Sequence, residues 1–243
     1  MSARGEGAPD VGIYEVGPRD GLQNESEFVA TSAKLELFSR LVTAGLSRVE
    51  VASFVSPRWI PQLADADELA AALPPSPHAT YGALVPNERG YERLRASGRI
   101  EIAATFISAS ETHNQKNVNC SIAEQLERFK PVFERARADG IAIRAYVSTV
   151  CGCPYEGRVA VSSVVALTRE IIACGASEVS LGDTIGVGFP NQVRELVIDG
   201  IVPPASLRDE SVRGWRPAAV DGIARLEKGE ASRRCNARLG RSG

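Results

Sequence analysis

The segment GIYEVGPRDGLQNE, at residues 12–25, decides the fold class of this chain. Its first part lies in a short apolar run, residues 11–16, that is typical of a buried strand. A turn punctuated by glycine follows at once and carries Arg19 and Asp20. Arginine is a permanent, forked cation that suits a carbonyl or an oxyanion, and aspartate is a hard oxygen ligand for a divalent metal. An isolated pair of this kind is more often a surface ion pair, so both interpretations stay open at this point.

Outward from this segment, short apolar runs alternate with longer helical patterns. Further strands are predicted at residues 48–52, 80–85, 100–106, 141–148 and 178–181. Helices are predicted between the strands, at residues 32–44, 60–73, 88–96, 121–138 and 162–173. The long helix should begin at the N-cap Ser121 and stop at Gly140. Such alternation predicts an α/β fold with parallel strands and right-handed crossovers, either an open doubly wound sheet or most of an eight-unit barrel.

The positions of the polar clusters favour the barrel. Each cluster comes at or just after the end of a predicted strand: residues 19–20, 50–56, 108–117, 146–156 and 183–184. In a TIM (β/α)8-type barrel the chemically useful residues lie at the carboxyl ends of many strands, whereas an open sheet concentrates them at one switch point. We therefore predict a barrel of this type, incomplete, with about six βα units.

Composition and charge exclude several classes of function. The chain has 243 residues, of which 44% are hydrophobic, and its net charge of −2 gives no reason to expect nucleic acid as a partner. No apolar run approaches the roughly 20 residues that span a membrane. Residues 1–10 are small and polar, which predicts a flexible leader on a cytoplasmic protein. Residues 11–198 form the predicted barrel domain, and the arginine-rich residues 199–243 form an atypical tail that need not fold.

The cysteines predict neither disulfides nor zinc. They are Cys120, Cys151, Cys153, Cys174 and Cys235. An odd, scattered set argues against a disulfide framework, and one intervening residue between the second and third is the wrong spacing for a zinc or redox pair. Most should be buried free thiols. The two histidines are expected on the surface (His78) and in a loop or packed (His113), rather than as metal ligands.

At this point the motifs show a family resemblance. The run EVGPRDGLQNE, at residues 15–25, resembles the opening signature of the hydroxymethylglutaryl-CoA lyase family. Four further segments are similar to that family as well, at residues 49–57, 116–122, 152–157 and 180–188. The resemblance covers residues 11–198, which is most of the chain.

The resemblance implies a reaction and a set of residues. The reaction is a retro-Claisen cleavage of 3-hydroxy-3-methylglutaryl-CoA to acetyl-CoA and acetoacetate, assisted by Mg²⁺ or Mn²⁺ and associated with leucine degradation and ketone bodies. Asp20 would hold the metal, and Arg19 would face the thioester oxygen where enolate charge develops. Asp183 would handle the proton, with Glu50 orienting it.

Weaker implications concern contacts with the acyl-CoA substrate. The expected substrate-binding residues are Gln23, Asn117, Ser180 and Thr184. The residues alone leave other interpretations open: Glu50 could point to solvent from an alternating strand, and Asp183 with Thr184 could form a helix N-cap. Asn117 and Asn119 could be turn formers.

Two motifs that the resemblance leads us to expect do not occur. The family carries a His-x-His pair that completes the metal site and a Gly-Gly-Cys-Pro-Tyr loop with a catalytic cysteine; no histidine follows His113 here. We therefore expect a C-terminus altered by truncation or a shift of reading frame. The alternatives are an inactive or partner-dependent remnant, which a homodimer or a complementing chain could complete, and a related aldol-type metallolyase with another acyl substrate.

Overall fold

The computed structural model describes residues 12–196. The predicted leader and tail, and the question of the reading frame, lie outside these residues. The predicted limits of the barrel domain stay a prediction.

Within the described range, five parallel strands form one sheet. They are β1 (Arg48–Ser53), β2 (Thr80–Leu84), β3 (Ile102–Ser108), β4 (Ala142–Ser148) and β5 (Glu178–Leu181). Each strand pairs in parallel with the next one in the chain, so the order in the sheet is the order in the sequence. This arrangement confirms the predicted α/β class with crossover connections.

The first predicted strand is reduced to a single bridge. Glu15 pairs in parallel with Val49 on β1, and residues 12–14 have no regular structure. Extended backbone ends at Val16, whose φ of −113° and ψ of −4° are helical, and a π-helix (Gly17–Gly21) starts next. A ladder cannot continue through this turn, because Pro18 also lacks a donor N–H. The expectation of six full strands is therefore wrong by one.

Seven α-helices of the described range connect and cover the strands. They are α1 (Thr31–Thr43), α2 (Ala66–Ala72), α3 (Glu88–Ser97), α4 (Glu111–Val118), α5 (Ile122–Asp139), α6 (Val161–Cys174) and α7 (Pro190–Arg194). The predicted helix 60–73 is instead a 3₁₀ turn (Pro61–Leu63) followed by α2. None of the helices in residues 12–196 is long and apolar enough to cross a membrane.

The ends of α5 follow the sequence signals. The Ser121 side chain accepts a hydrogen bond from the Glu124 N–H, and the Glu124 carboxylate accepts one from the Ser121 N–H. This capping box satisfies two backbone donors that a helix start leaves open. Gly140 ends the helix in the left-handed region with a φ of +72°, which glycine adopts without strain. Both predicted boundaries are confirmed.

The sheet is strongly curved. Arg48 on β1 and Glu178 on β5 form an ion pair, with Nη1 and Oε1 3.3 Å apart. In a flat sheet, four strand spacings of about 4.8 Å would separate these strands by about 19 Å, beyond the combined reach of the two side chains. Curvature of this kind agrees with the barrel and not with an open sheet. Apolar side chains fill the space between the sheet and the helices, and charged groups lie on the concave face.

Candidate active site

Glu50 is the centre of the polar cluster on the concave face. Its side chain on β1 is 0% exposed, so the alternative that it points to solvent is excluded. One oxygen, Oε1, accepts a hydrogen bond from Arg19 Nε at 2.5 Å, and the other, Oε2, accepts one from the Tyr146 hydroxyl at 2.7 Å. A buried carboxylate needs such partners, because an unpaired buried charge is very costly.

The bridge at Glu15 places Arg19 over Glu50. The Glu15 N–H donates to the Arg48 carbonyl at 2.9 Å, and the Glu15 carbonyl accepts the Glu50 N–H at 2.7 Å. After Val16 the chain turns tightly, and the Val16 carbonyl accepts the Arg19 N–H at 3.0 Å. The turn therefore brings Arg19 back to β1, where its side chain contacts Glu50.

Arg19 lies between two carboxylates. Besides Glu50, it contacts Asp20, whose Oδ1 accepts a hydrogen bond from Nη1 at 2.6 Å. Burial disfavours the charged guanidinium, but the negative charges of Glu50 and Asp20 outweigh burial and raise the pKa of Arg19. Among the described residues, Nη2 has no hydrogen-bond acceptor. Arg19 is thus a fixed cation with donor capacity left for a substrate oxygen.

Asp183 lies directly after β5, but it is engaged in a turn. Its Oδ1 accepts the Val187 N–H at 3.2 Å, and its Oδ2 accepts the Gly188 N–H at 2.7 Å. Asp183 therefore does not cap a helix, and that alternative is wrong. In the described hydrogen-bond network it also makes no contact with Glu50 or Arg19. Thr184 is exposed, and its hydroxyl oxygen accepts the Thr149 N–H at 2.8 Å, which ties the loop after β5 to the loop after β4.

The remaining residues expected to contact substrate lie in different surroundings. Ser180 on β5 is the register partner of Tyr146, so both side chains lie on the concave face. The Gln23 side-chain oxygen Oε1 is buried without a hydrogen-bond partner in residues 12–196, so it can accept a hydrogen bond from a ligand. Asn117 is exposed within α4, so its interpretation as a turn former is wrong, while Asn119 ends that helix with a φ of +54°.

Sequence reasoning assigned no role to Tyr146, although the residue begins the predicted polar cluster at residues 146–156. The signal was present, because Arg144, Tyr146 and Ser148 stand at every second position of a strand whose other residues are apolar. Polar side chains at every second position of a buried strand share one face, and that face is the interior of a curved sheet. Helix α4 was also not predicted, because its residues are mostly polar and show no apolar periodicity.

The described residues do not fit a complete metal site. Within residues 12–196 no group of three or more His, Cys, Asp or Glu side chains is arranged to hold an ion. Asp20 offers a carboxylate that is 57% exposed, and one of its oxygens already accepts from Arg19. His78 is exposed, and the centroid of the His113 ring lies 6.2 Å from that of the Tyr155 ring. One carboxylate alone is a weak site for Mg²⁺, which needs further ligands to be held.

The thiols match the sequence expectation where the structure describes them. Cys120 and Cys153 are buried free thiols, Cys151 is buried as well, and the free thiol Cys174 is partly buried. Cys235 lies outside the described residues. Burial opposes ionisation of Cys153, but hydrogen bonds from the Ser110 hydroxyl at 3.0 Å and from backbone N–H groups lower its pKa.

These features define a class of protein: an α/β barrel-type fold whose concave face carries a largely buried arginine between two carboxylates. A family model described as HMGL-like matches residues 10–201. The chain belongs to the HMGL-like family.

Its curated relatives are named as lyases. The chain is 46% identical over 221 residues to the mitochondrial hydroxymethylglutaryl-CoA lyase of Macaca fascicularis. The aligned region covers 90% of this chain and 68% of the relative. It is 48% identical over 187 residues to the 3-hydroxy-3-isohexenylglutaryl-CoA/hydroxy-methylglutaryl-CoA lyase of Pseudomonas aeruginosa, covering 77% and 62%. It is 46% identical to the cytoplasmic 3-hydroxy-3-methylglutaryl-CoA lyase of Danio rerio, covering 81% and 59%. The chain thus spans about 59–68% of these relatives' lengths.

Solved structures agree with the fold. The chain resembles the hydroxymethylglutaryl-CoA lyase of Pseudomonas aeruginosa with a TM-score of 0.78 and 42% identity, over 89% of this chain and 75% of that one. An HMG-CoA lyase from Acinetobacter baumannii, solved in complex with coenzyme A and 3-methylmalate, has a TM-score of 0.75 and 30% identity, over 88% and 72%.

Proposed function

We propose that this chain is a carbon–carbon lyase that cleaves 3-hydroxy-3-methylglutaryl-CoA to acetyl-CoA and acetoacetate. The observation that carries the proposal is the buried Arg19–Glu50 pair at the carboxyl edge of the sheet, in a chain of the HMGL-like family. The names of the relatives and of the solved structures support the choice of substrate.

The reaction needs a positive group where Arg19 lies. The tertiary hydroxyl of the substrate loses its proton, the adjacent carbon–carbon bond breaks, and the electron pair moves into an enolate of the acetyl thioester. That enolate then takes a proton on carbon to give acetyl-CoA. Arg19 would donate hydrogen bonds to the thioester oxygen as its charge develops, and a preorganised donor of this kind is typically worth about 3 kcal/mol of the barrier. The role of Glu50 is to hold that donor in place.

The other site residues take supporting roles in this proposal. Asp183 is the proton-handling group, since its carboxylate stands directly after β5 at the same edge of the sheet as Arg19. Gln23, with its buried and unsatisfied oxygen, would bind substrate. Ser180, Thr184 and Asn117 are proposed as further substrate contacts.

A divalent metal, Mg²⁺ or Mn²⁺, is implied by the family resemblance. When bound, it would chelate substrate oxygens and lower the pKa of the hydroxyl. Asp20 is the one described residue that we assign to it, and residues 12–196 do not provide the remaining ligands. The assigned roles of Arg19 and Glu50 do not depend on the ion.

A substrate panel tests the proposal. The full chain is incubated with 3-hydroxy-3-methylglutaryl-CoA or 3-hydroxy-3-isohexenylglutaryl-CoA, with Mg²⁺, with Mn²⁺ or with a chelator, and acetoacetate or its homologue is measured. We expect turnover of the methyl substrate that the chelator abolishes. Turnover of only the longer substrate would support the reading as a related metallolyase with another acyl substrate. Failure of both in folded protein would contradict the lyase proposal.

A second candidate is an acyl-CoA-binding chain that does not cleave its ligand unless another chain completes the site. Two observations favour it: the lack of a three-ligand cluster in residues 12–196, and the outer edge of β5, with which no described strand pairs. Binding of acetyl-CoA without any turnover, and turnover after a second chain is added, would distinguish it from the first.

We further propose a cytoplasmic location. The support is the relative named as cytoplasmic, although the relatives also include enzymes named as mitochondrial. Fractionation of cells that express the chain tests this proposal.

A further inference from the structure

Four side chains form an alternating stack on the concave face of the sheet. Two guanidinium groups lie over the Tyr14 ring, with Arg48 Cζ at 4.9 Å and Arg144 Cζ at 4.2 Å from its centroid. Arg144 Cζ also lies 5.2 Å from the centroid of the Tyr146 ring, so the contacts lead from Arg48 through Tyr14 and Arg144 to Tyr146. Cations over aromatic faces attract, and more strongly where water is excluded. The stack therefore fixes Tyr146 from one side.

Two other residues close the stack. The Glu178 carboxylate accepts hydrogen bonds from both Arg48 and Arg144, which balances one of their charges and holds the pair together. Gly82 makes room for Tyr14, because a Cβ at this position would overlap the tyrosine hydroxyl. These contacts join residues of β1, β2, β4 and β5.

Tyr146 links this stack to the site. The terminal torsion of a glutamate is broad, so one hydrogen bond to Oε1 leaves the carboxylate plane free to rotate. The hydroxyl of Tyr146, bound to Oε2 at 2.7 Å, removes that freedom. The direction of the Arg19 fork follows, because Arg19 Nε is bound to Oε1 of the same carboxylate.

We propose that Tyr146, held by Arg144, is a positioning residue that aims Glu50, and through it the Arg19 guanidinium, at the substrate thioester oxygen. This inference rests on the function proposed above for Arg19. Burial, with the neighbouring negative charge of Glu50, raises the pKa of Tyr146 despite the opposing charge of Arg144. The hydroxyl therefore stays protonated at neutral pH and can donate to Glu50.

The first test follows the Arg19 Nε–H directly by ¹⁵N NMR of the full chain. Its signal is identified by its loss in Arg19→Lys, and its hydrogen exchange is compared with that of Arg40, whose side chain is 76% exposed. We expect slow exchange at Arg19 in the wild type, and exchange faster by about tenfold or more in Tyr146→Phe, which deletes only the hydroxyl.

Tyr91→Phe is the matched control. Tyr91 is fully buried and donates a hydrogen bond to the Asp139 carboxylate at 2.8 Å, so this variant loses the same type of bond away from the site. We expect no change in Arg19 exchange. An unchanged rate in Tyr146→Phe, an equal acceleration in both variants, or wild-type exchange as fast as at Arg40 would each overturn the proposal.

Kinetics supply a second arm. We expect Tyr146→Phe to lower kcat by about 10- to 100-fold with little change in KM, as for other residues that support a catalytic group. A raised KM with unchanged kcat would show that Tyr146 binds substrate, and would contradict a positioning role. If the wild type cleaves nothing, the lyase proposal fails, while the exchange experiment still decides whether Tyr146 positions Arg19.

Discussion

At the scale of the residue, the proposed chemistry depends on the ion pair between Arg19 and the buried Glu50. Glu50 is the only carboxylate that the described structure places wholly inside the concave face next to Arg19, whereas Asp20 is largely exposed. Removing one partner of a buried pair leaves the other charge without compensation. The pair should therefore matter for stability as well as for activity.

Glu50→Gln tests this dependence. We expect it to lower the free energy of unfolding by about 3 kcal/mol, because Arg19 would keep only its exposed partner Asp20. Urea unfolding followed by circular dichroism measures the change. Glu36→Gln is the control, since it breaks an exposed pair with Arg40 and should cost about 0.5 kcal/mol or less. Equal losses in the two variants would contradict the assignment.

Gly82→Ala tests the packing of Tyr14. The added methyl group should overlap the Tyr14 hydroxyl and destabilise the chain by about 1–3 kcal/mol. Tyr14→Phe removes the hydroxyl, so the double variant should regain part of the loss in a thermodynamic cycle. Gly12→Ala, where a Cβ meets nothing within 4 Å, is the control. Strict additivity of the two changes would show that the overlap is not what limits this position.

At the scale of the element, local signals place most boundaries but not all. The capping box and Gly140 were readable because they act within a few residues of α5. The length of the first strand was predicted wrongly. Its apolar run ends in a turn with helical backbone, and that turn depends on the contact between Arg19 and Glu50 rather than on a local pattern. Helix α4 was not predicted because it shows no apolar periodicity: its start is capped by the Ser110 side chain, and its buried residue is the polar Asn114.

Ser121→Ala tests the start of α5. Loss of the capping hydrogen bonds should lower the free energy of unfolding by about 1 kcal/mol. Ser163→Ala is a matched change at an exposed position inside α6, and it should be neutral or slightly stabilising. Thermal unfolding of the two variants side by side gives the comparison. A Ser121 variant as stable as the wild type would mean that tertiary contacts alone hold the helix end.

At the scale of the whole molecule, the curvature of the sheet could not be predicted from the sequence in detail. The barrel type was predicted from where polar clusters fall, yet the contacts that demonstrate curvature join residues far apart in the chain, such as Arg48 with Glu178 and Glu50 with Tyr146. No local pattern states such pairs, because they depend on how far the sheet bends.

The ion pairs across the sheet predict a dependence of stability on pH. Burial opposes the charge of Glu178, but the hydrogen bonds and charges of Arg48 and Arg144 outweigh it, so the pKa of Glu178 lies below its ordinary value of 4.5. Its contribution to stability is therefore fully present above pH 4.5 and is lost as the pH falls through the lower, folded-state pKa.

Glu178→Gln tests this linkage. The variant should be less stable than the wild type at neutral pH, and the difference should shrink as the pH falls below 4.5. Urea midpoints from pH 7 to about pH 3 measure it. Glu127→Gln, which breaks an exposed pair with Lys130 on one helix, is the control. A difference for Glu178→Gln that is independent of pH would contradict the linkage.

The central claim is that Arg19 makes this chain a lyase, and the stoichiometry of its products tests that claim most directly. The full chain is given 3-hydroxy-3-methylglutaryl-CoA with a divalent metal, and acetyl-CoA and acetoacetate are quantified together. Arg19→Lys keeps the charge but loses the fork, and Arg93→Lys makes the same change where the arginine binds Asp67, away from the site. We predict equal amounts of the two products, a loss of about 100-fold or more in rate in Arg19→Lys, and little loss in Arg93→Lys. Equal activity of the two variants, or no cleavage by the folded wild-type chain, would contradict the account.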